Sequence, residues 1–128
     1  MDVTPLVRSD AQVIQSYAGG GFKISSTQYD GPHYVSIETV APWTAAKGKT
    51  VKDLTLEDFQ PLIEARADID VVLLGTGEKI GLLSSAMRNA LKQAGLTVEV
   101  MDTGAACRTY NVLIADGRRV VAALLPAA

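Results

Sequence analysis

Glycines and small polar residues follow two apolar segments of this chain, where they could bind a ligand through backbone amides. The first segment, residues 71–74, is a run of Val and Leu that ends in Gly75-Thr76-Gly77. Glycines after a buried strand let a phosphate or carboxylate approach the backbone, and the N-terminus of a following helix favours its negative charge. A second apolar segment ends in Asp102-Thr103, which is typical of a helix cap. We therefore expect the two corners to be neighbours in space and to form any ligand site.

Three side chains in the helix after the second corner could add chemistry to that site. Arg108 and Asn111 are spaced i, i+3, and could either hold a carboxylate or phosphate or tie the helix to a neighbouring loop. The helix N-terminus and Arg108 would activate the thiol of Cys107, although its alanine neighbours favour a buried, inert thiol. The candidate ligand-binding residues are Gly75, Thr76, Gly77, Thr103, Cys107, Arg108 and Asn111. The expected ligand is a small anion or a nucleotide.

The glycine corner matches a nucleotide-binding fingerprint only in part. A Gly-x-Gly-x-x-Gly motif requires a third glycine at position 80, which is Ile80, while Gly81 comes one residue late. Only one clear strand–helix–strand unit is present, half of what a dinucleotide requires. A tight strand-to-helix turn without a ligand is therefore the main interpretation of this corner, and anion binding is the alternative.

The sequence offers few catalytic groups. The single histidine, His33, stands beside a proline in an expected turn, where we predict a solvated side chain. There is no second histidine and no cysteine pair with which to build a metal site. We assign no catalytic residue, no metal and no cofactor, and we favour a protein that is not an enzyme.

A basic run at residues 47–52 is interpreted as a solvated connector. Its Gly48-Lys49-Thr50 resembles the end of a phosphate-binding loop. The position of the first glycine of such a loop is Trp43, however, and no buried strand leads into it. The resemblance to a phosphate-binding loop therefore carries no functional prediction.

The composition is that of one folded domain, residues 1–128. With 48% hydrophobic residues the chain can build its own core. A net charge of −2, from 12 basic and 14 acidic residues, gives no attraction to nucleic acid. One cysteine excludes an intrachain disulfide, and neither a signal peptide nor an apolar run near the ~20 residues that span a bilayer is present. We expect a cytoplasmic protein without membrane insertion.

The apolar spacing predicts β structure first and alternating strands and helices later. Residues 13–17, 22–24 and 34–40 are predicted strands, with the glycines at 19–21 forming a turn or bulge. In residues 55–65 a capping-box pattern and Pro61 together favour one to three helical turns.

The second half of the chain has the pattern of a βαβ unit. Residues 71–75 and 97–101 are predicted strands, and apolar residues from Leu82 to Ala94 recur at helical spacing between them. Strands joined by one helix run parallel. A second helix begins at Asp102 or Thr103, and residues 120–125 form a final buried strand.

Several motifs, taken together, resemble the Mth-type domain family, a domain of unknown function. They are Tyr17, Gly20-Gly21-Phe22-Lys23-Ile24, Trp43, Leu74-Gly75-Thr76-Gly77, residues 98–103, residues 106–113, Gly117-Arg118 and residues 120–126. The similarity covers roughly residues 10–126, and the 98–113 stretch is its most specific part. Family members often carry a proline after Gly-Thr-Gly, where this chain has residues 80–83 without one.

The resemblance implies a three-layer α/β fold. Its central mixed sheet would hold the 71–75 and 97–101 strands in parallel, with the last strand antiparallel beside them and an N-terminal β layer on one side. Animal relatives include an adipogenesis-associated protein and an assembly factor of mitochondrial complex I. The leading hypothesis is therefore a non-enzymatic assembly factor or scaffold that binds protein partners. The alternative is a protein that binds a small molecule, an anion or a nucleotide, in a crevice formed by Gly75–Gly77 and Thr103–Arg108.

Overall fold

The computed structural model describes residues 10–127, in which five strands come first and α-helices alternate with the remaining strands after them. The strands are β1 (Ile14–Ser16), β2 (Gly21–Ile24), β3 (Thr27–Asp30), β4 (His33–Val35), β5 (Val40–Pro42), β6 (Val71–Gly75), β7 (Val98–Met101) and β8 (Val120–Leu124). The α-helices are α1 (Gln60–Glu64), α2 (Ser85–Gln93) and α3 (Thr103–Ala115). Short 3-10 turns connect β5 to α1 and α1 to β6. Within the described range, no helix is long and apolar enough to cross a bilayer.

The strands form two sheets. β1, β2 and β3 make a small antiparallel sheet, in which Gly19 and Gly20 take positive φ angles of 67° and 79° at the first turn. A bulge interrupts the pairing of β1 with β2. The larger sheet has the strand order β5-β4-β8-β6-β7, and its β6–β7 pair is parallel as predicted. The glycine turn and the parallel pair are therefore confirmed.

The prediction that the last strand lies antiparallel beside the parallel pair is wrong. β8 runs parallel to β6, with Val71 opposite Val120 and Gly75 opposite Leu124, and it is antiparallel only to β4. The reason lies in α3, which carries the chain from the end of β7 back across the sheet. A helical crossover reverses the chain twice, so the strand after it runs in the direction of the strand before it.

Residues 34–40 form a hairpin instead of the single strand that was predicted. β4 and β5 pair antiparallel, with Val35 opposite Val40, and Ser36 and Thr39 exchange backbone hydrogen bonds at N···O distances of 2.8 and 3.3 Å. Two strands joined by a tight turn have the same spacing of apolar residues as one longer strand. The alternation alone therefore does not distinguish a hairpin from a single strand.

Side chains alternate between two cores on opposite faces of the larger sheet. Val72 and Leu74 of β6 pack against one core, which includes Trp43 and the side chains of α1 and α2. Val71 and Leu73 pack against the other core, which α3 shares with β1 and β2. The result is a helical layer, a central mixed sheet, and a third layer made of α3 and the small sheet, so the three-layer prediction is confirmed.

Candidate functional site

The two predicted corners lie side by side at the carboxyl ends of β6 and β7. The N–H of Thr76 donates to the carbonyl of Met101 at 2.9 Å, and the N–H of Thr103 donates to the carbonyl of Gly77 at 2.9 Å. The N–H of Gly77 in turn donates to Thr103 Oγ1 at 2.8 Å. The expected neighbourhood of the glycine corner and the capped helix is therefore confirmed.

The hydroxyl of Thr103 joins three strand ends. It is fully buried, accepts from Gly77, and donates to the carbonyl of Leu125 just after β8, at 2.6 Å. A Cβ at Gly75 would lie 2.9 Å from Thr103 Oγ1 and 3.0 Å from Thr103 Cα, closer than a side chain tolerates. Gly75 therefore lets α3 approach the sheet.

The prediction that α2 begins at the glycine corner is wrong. The helix starts at Ser85, where the Ser84 side chain accepts from the N–H of Met87 at 3.1 Å. A loop precedes it, closed by Thr76, whose hydroxyl donates to the carbonyl of Lys79 and accepts from the N–H of Gly81. The side chain of Thr76 satisfies backbone groups that a helix would otherwise use, so the helix is delayed.

Only α3 therefore directs its N-terminus at the corner, and it begins with an internal cap. The carboxylate of Asp102 accepts a hydrogen bond from the N–H of Ala105 at 2.8 Å. This carboxylate occupies one amide and places a negative charge at the positive end of the helix dipole. The prediction that Asp102 or Thr103 caps this helix is confirmed, with Asp102 in that role.

Cys107 is buried against the sheet, with only 2% of its surface exposed. Burial raises the pKa of its thiol to about 12, against the opposing effect of Arg108. At neutral pH the thiol is therefore protonated and a poor nucleophile. The predicted burial of Cys107 is confirmed, and its inertness stays a prediction.

Arg108 and Asn111 bind the chain itself. Arg108 donates from Nη1 to the hydroxyl of Tyr17 at 2.7 Å, and the ring of Tyr17 lies directly over Gly104. Asn111 bonds both backbone groups of Ile14. Of the two roles that the sequence left open for these residues, the hydrogen bonds describe a tether between α3 and the chain near β1.

His33 is buried, so the prediction of a solvated side chain is wrong. It begins β4, with 6% of its surface exposed, and its ring lies among Phe22 and Tyr29. Its Nδ1 lies 3.0 Å from the carbonyl of Gly31. Among the described residues, no three His, Cys, Asp or Glu side chains come together in a way that could hold a metal.

A polar cluster around Asp58 was missed. Lys49 Nζ bonds both carboxylate oxygens of Asp58, at 2.9 and 2.8 Å, so the solvated-connector prediction is wrong for this lysine. The N–H of Thr55 donates to the same carboxylate at 2.9 Å, as the capping-box pattern predicted. Burial would raise the pKa of Asp58, but the bonds from Lys49 and Thr55 outweigh it and hold the pKa below its usual value.

The backbone of the same residue anchors two aromatic side chains. The carbonyl of Asp58 accepts from Trp43 Nε1 at 2.8 Å and from the hydroxyl of Tyr34 at 3.1 Å. The two rings stack with centroids 5.1 Å apart. Burial, and next the charge of Asp58, raises the pKa of Tyr34. The cluster links β4 to the segment before α1 and stabilises the core that contains Trp43.

Two surface recesses lie away from the corner. One, of about 440 Å³, lies between α1 and the loop before β8, with Tyr34 and Leu62 in its apolar part and Arg118 at its rim. The other, of about 390 Å³, lies between α2 and β7. None of the candidate ligand-binding residues lines either recess.

This architecture, with a mixed five-stranded sheet between a helical layer and a mixed third layer, is that of Mth938-like domains. A solution structure from Bordetella pertussis described as a Mth938-like domain matches it with a TM-score of 0.76 and 29% identity, over 98% of this chain and 92% of that one. The chain belongs to the family described as "Protein of unknown function (DUF498/DUF598)", whose profile matches residues 14–125. The resemblance to the Mth-type family is therefore confirmed.

Two curated relatives extend the comparison. NADH dehydrogenase (ubiquinone) 1 alpha subcomplex assembly factor 3 of Rattus norvegicus is 36% identical over 116 residues, which are 91% of this chain and 61% of that protein. The chain thus spans about three-fifths of the rat protein's length. An uncharacterized protein of Rhodobacter capsulatus is 34% identical over 113 residues, 88% of this chain and 83% of that protein.

Proposed function

We propose that this protein is an assembly factor that binds protein partners during the biogenesis of respiratory complex I. The observation that carries the proposal is the similarity, over 91% of this chain, to a rat protein named as a complex I assembly factor. A structural role, as opposed to a catalytic one, is supported by the hydrogen bonds of the polar groups in α3. Thr103, Arg108 and Asn111 are hydrogen-bonded to other parts of this chain, which suits a rigid scaffold.

The test is deletion of the gene in the organism that encodes this chain. The amount of assembled complex I is then measured on native gels and by NADH oxidation in membranes. We expect fewer assembled complexes and an accumulation of subassemblies, restored by the wild-type gene. Unchanged complex I would overturn the proposal. The cytoplasm remains the compartment that we predict, and fractionation with antibody detection tests it.

The small-molecule hypothesis stays a prediction. Its site would comprise Gly75, Thr76 and Gly77 with Thr103 and the first turns of α3, where a ligand would have to compete with the bonds that the Thr103 hydroxyl already makes. Thermal unfolding with phosphate, nucleotides and carboxylates tests it, because a ligand at 100 times its Kd adds about 2.7 kcal/mol of stability. A shift that persists in Arg108→Ala would place the ligand elsewhere.

A further inference from the structure

One edge of the five-stranded sheet is β7, which pairs with β6 on one side only. The carbonyls of Thr97 and Met101 accept hydrogen bonds from N–H groups in and just after β6, at N···O distances of 2.8 and 2.9 Å. Backbone groups alternate in direction along a strand, so the N–H and C=O groups of Val98 and Val100 point away from β6. Nothing within residues 10–127 pairs with them. These unpaired backbone groups can form hydrogen bonds with a further strand.

A groove runs beside that edge, on the face that carries α2. It has a volume of about 390 Å³, and its apolar part includes Leu91, Leu96, Val98 and Val100. Side chains of an added strand would point alternately to the two faces of the sheet. Every second side chain would therefore enter this groove, which gives the edge a means of selecting a sequence as well as pairing with a backbone.

The charge of the groove indicates the partner's chemistry. Arg88 and Lys92 line it from α2, one helical turn apart, and both are exposed. Glu99 of β7 also lines it, so the groove has two basic side chains and one acidic side chain. No hydrogen bond or ion pair joins the side chain of Arg88 or Lys92 to another described residue. Two such cations beside an open strand edge are complementary to carboxylates. A second copy of the chain is a poorer occupant, because pairing β7 with itself about a two-fold axis places the cations of both copies on one face.

We infer that the β7 edge and its groove form the docking surface for an extended acidic segment of a partner protein, which adds a sixth strand to the sheet. The inference rests on the proposed function, since it names the surface that the partner occupies. The backbone of the segment bonds Val98 and Val100. Its carboxylates meet Arg88 and Lys92.

The direct test is nuclear magnetic resonance on the isotopically labelled chain with two synthetic hexapeptides. One has Glu, Val and Glu at positions 2, 4 and 6, the other has Lys, Val and Lys there, and serine fills the remaining positions, so that the three side chains share one face. We expect the acidic peptide to slow the hydrogen exchange of the Val98 and Val100 amides, and to bind about fivefold more tightly than the basic one. The double variant Arg88→Glu, Lys92→Glu should reverse this preference. The control variant Lys23→Glu, exposed on β2, should leave the preference unchanged.

The outcomes separate this inference from the proposed function. Exchange at Val98 and Val100 that no peptide slows, or a preference unchanged in the double variant, overturns the inference. Slowed exchange that instead depends on the concentration of the chain alone would show a second copy at the edge, and also overturns it. If the gene for the double variant restores complex I in the deletion strain as fully as the wild-type gene, the assembly function is supported and the docking surface is refuted. If deletion leaves complex I unchanged while the peptide results hold, the surface stands and the assembly role falls.

Discussion

The side chain of Asn111 in α3 takes the place of a strand neighbour for Ile14 in β1. Its Nδ2 donates to the Ile14 carbonyl at 2.8 Å, and its Oδ1 accepts from the Ile14 N–H at 3.1 Å. One amide therefore satisfies both backbone groups of a residue at the edge of the small sheet. Tyr110 adds a third bond nearby, from its hydroxyl to the carbonyl of Gln12 at 2.8 Å.

Asn111→Ala should destabilise the protein, because it leaves both backbone groups of Ile14 without these partners. We expect a loss of about 1–3 kcal/mol in the free energy of unfolding, measured with urea. Asn89→Ala, exposed on α2, is the matched control and should change stability by less than about 0.5 kcal/mol. Equal effects of the two substitutions would show that the bonds between Asn111 and Ile14 contribute nothing to the stability of the protein.

Thr103→Val should be more harmful than its nearly equal volume suggests. The substitution removes the hydroxyl and leaves the Gly77 N–H and the Leu125 carbonyl unpaired in the interior. We expect a cost of about 2–3 kcal/mol. Thr103→Ser keeps the hydroxyl and loses one methyl group, which should cost only about 1 kcal/mol. The ranking is checked by urea unfolding of the two variants, and a Ser variant as unstable as the Val variant would refute it.

Acid should weaken the bond between Lys49 and Asp58. The folded-state pKa of Asp58 lies below its unfolded value, so the pair stabilises the protein fully above about pH 4. That contribution is lost as the pH falls through the folded-state pKa. The free energy of unfolding, measured with urea from pH 7 down to pH 2, should therefore decline at the acid end.

Lys49→Met isolates this contribution. Asp53 and Asp70 also have lowered pKa values, through bonds from Thr50 and Arg119, and they add to the acid decline of the wild type. The difference between variant and wild type cancels the contribution of Asp70, and cancels that of Asp53 apart from the small effect of the Lys49 charge on it. We expect the variant to be less stable by about 1–3 kcal/mol at pH 7, since the buried carboxylate keeps only its hydrogen bonds from Thr55. The difference in the free energy of unfolding should narrow in acid. The control variant Lys47→Met, in the same loop, should be as stable as the wild type at every pH. A stability difference between Lys49→Met and the wild type that stays constant with pH would contradict the prediction.

Cys107 should resist alkylation in the folded protein. Its pKa of about 12 leaves almost no thiolate at pH 7, and the side chain is buried. Iodoacetamide labelling followed by mass spectrometry should be very slow in buffer and fast in urea. Rapid labelling without urea would show that α3 opens locally, and would reinstate a chemical role for this thiol.

The parallel pair could be predicted because its information is local. Residues 71–75 are apolar on both faces, and the helical spacing that follows leaves little choice for the direction of the next strand. The same reasoning placed Gly77 beside Thr103, since the carboxyl ends of parallel strands share one edge. The partner of the Thr103 hydroxyl could not be predicted, because Leu125 reaches it only once β8 inserts next to β6.

The Asp58 cluster could not be predicted from the sequence. A nine-residue separation between Lys49 and Asp58 matches no helix or strand period, so the ion pair has no local signature. The capping-box pattern identified Asp58 as a helix-start residue and left its other oxygen unassigned. His33 was misplaced for a similar reason, since neighbouring Pro32 suggested a turn while the aromatic rings that cover the histidine come from β2 and β3.

The position of β8 imposes an order on the folding of a nascent chain. This strand lies between β4 and β6, yet it follows both of them, and every other helix and strand described, along the chain. Until residues 120–124 leave the ribosome, the early hairpin and the later parallel pair have no common neighbour. Because side chains of β8 belong to both cores, we expect the two cores to close late and the protein to become resistant to cellular proteases only when translation has passed that strand.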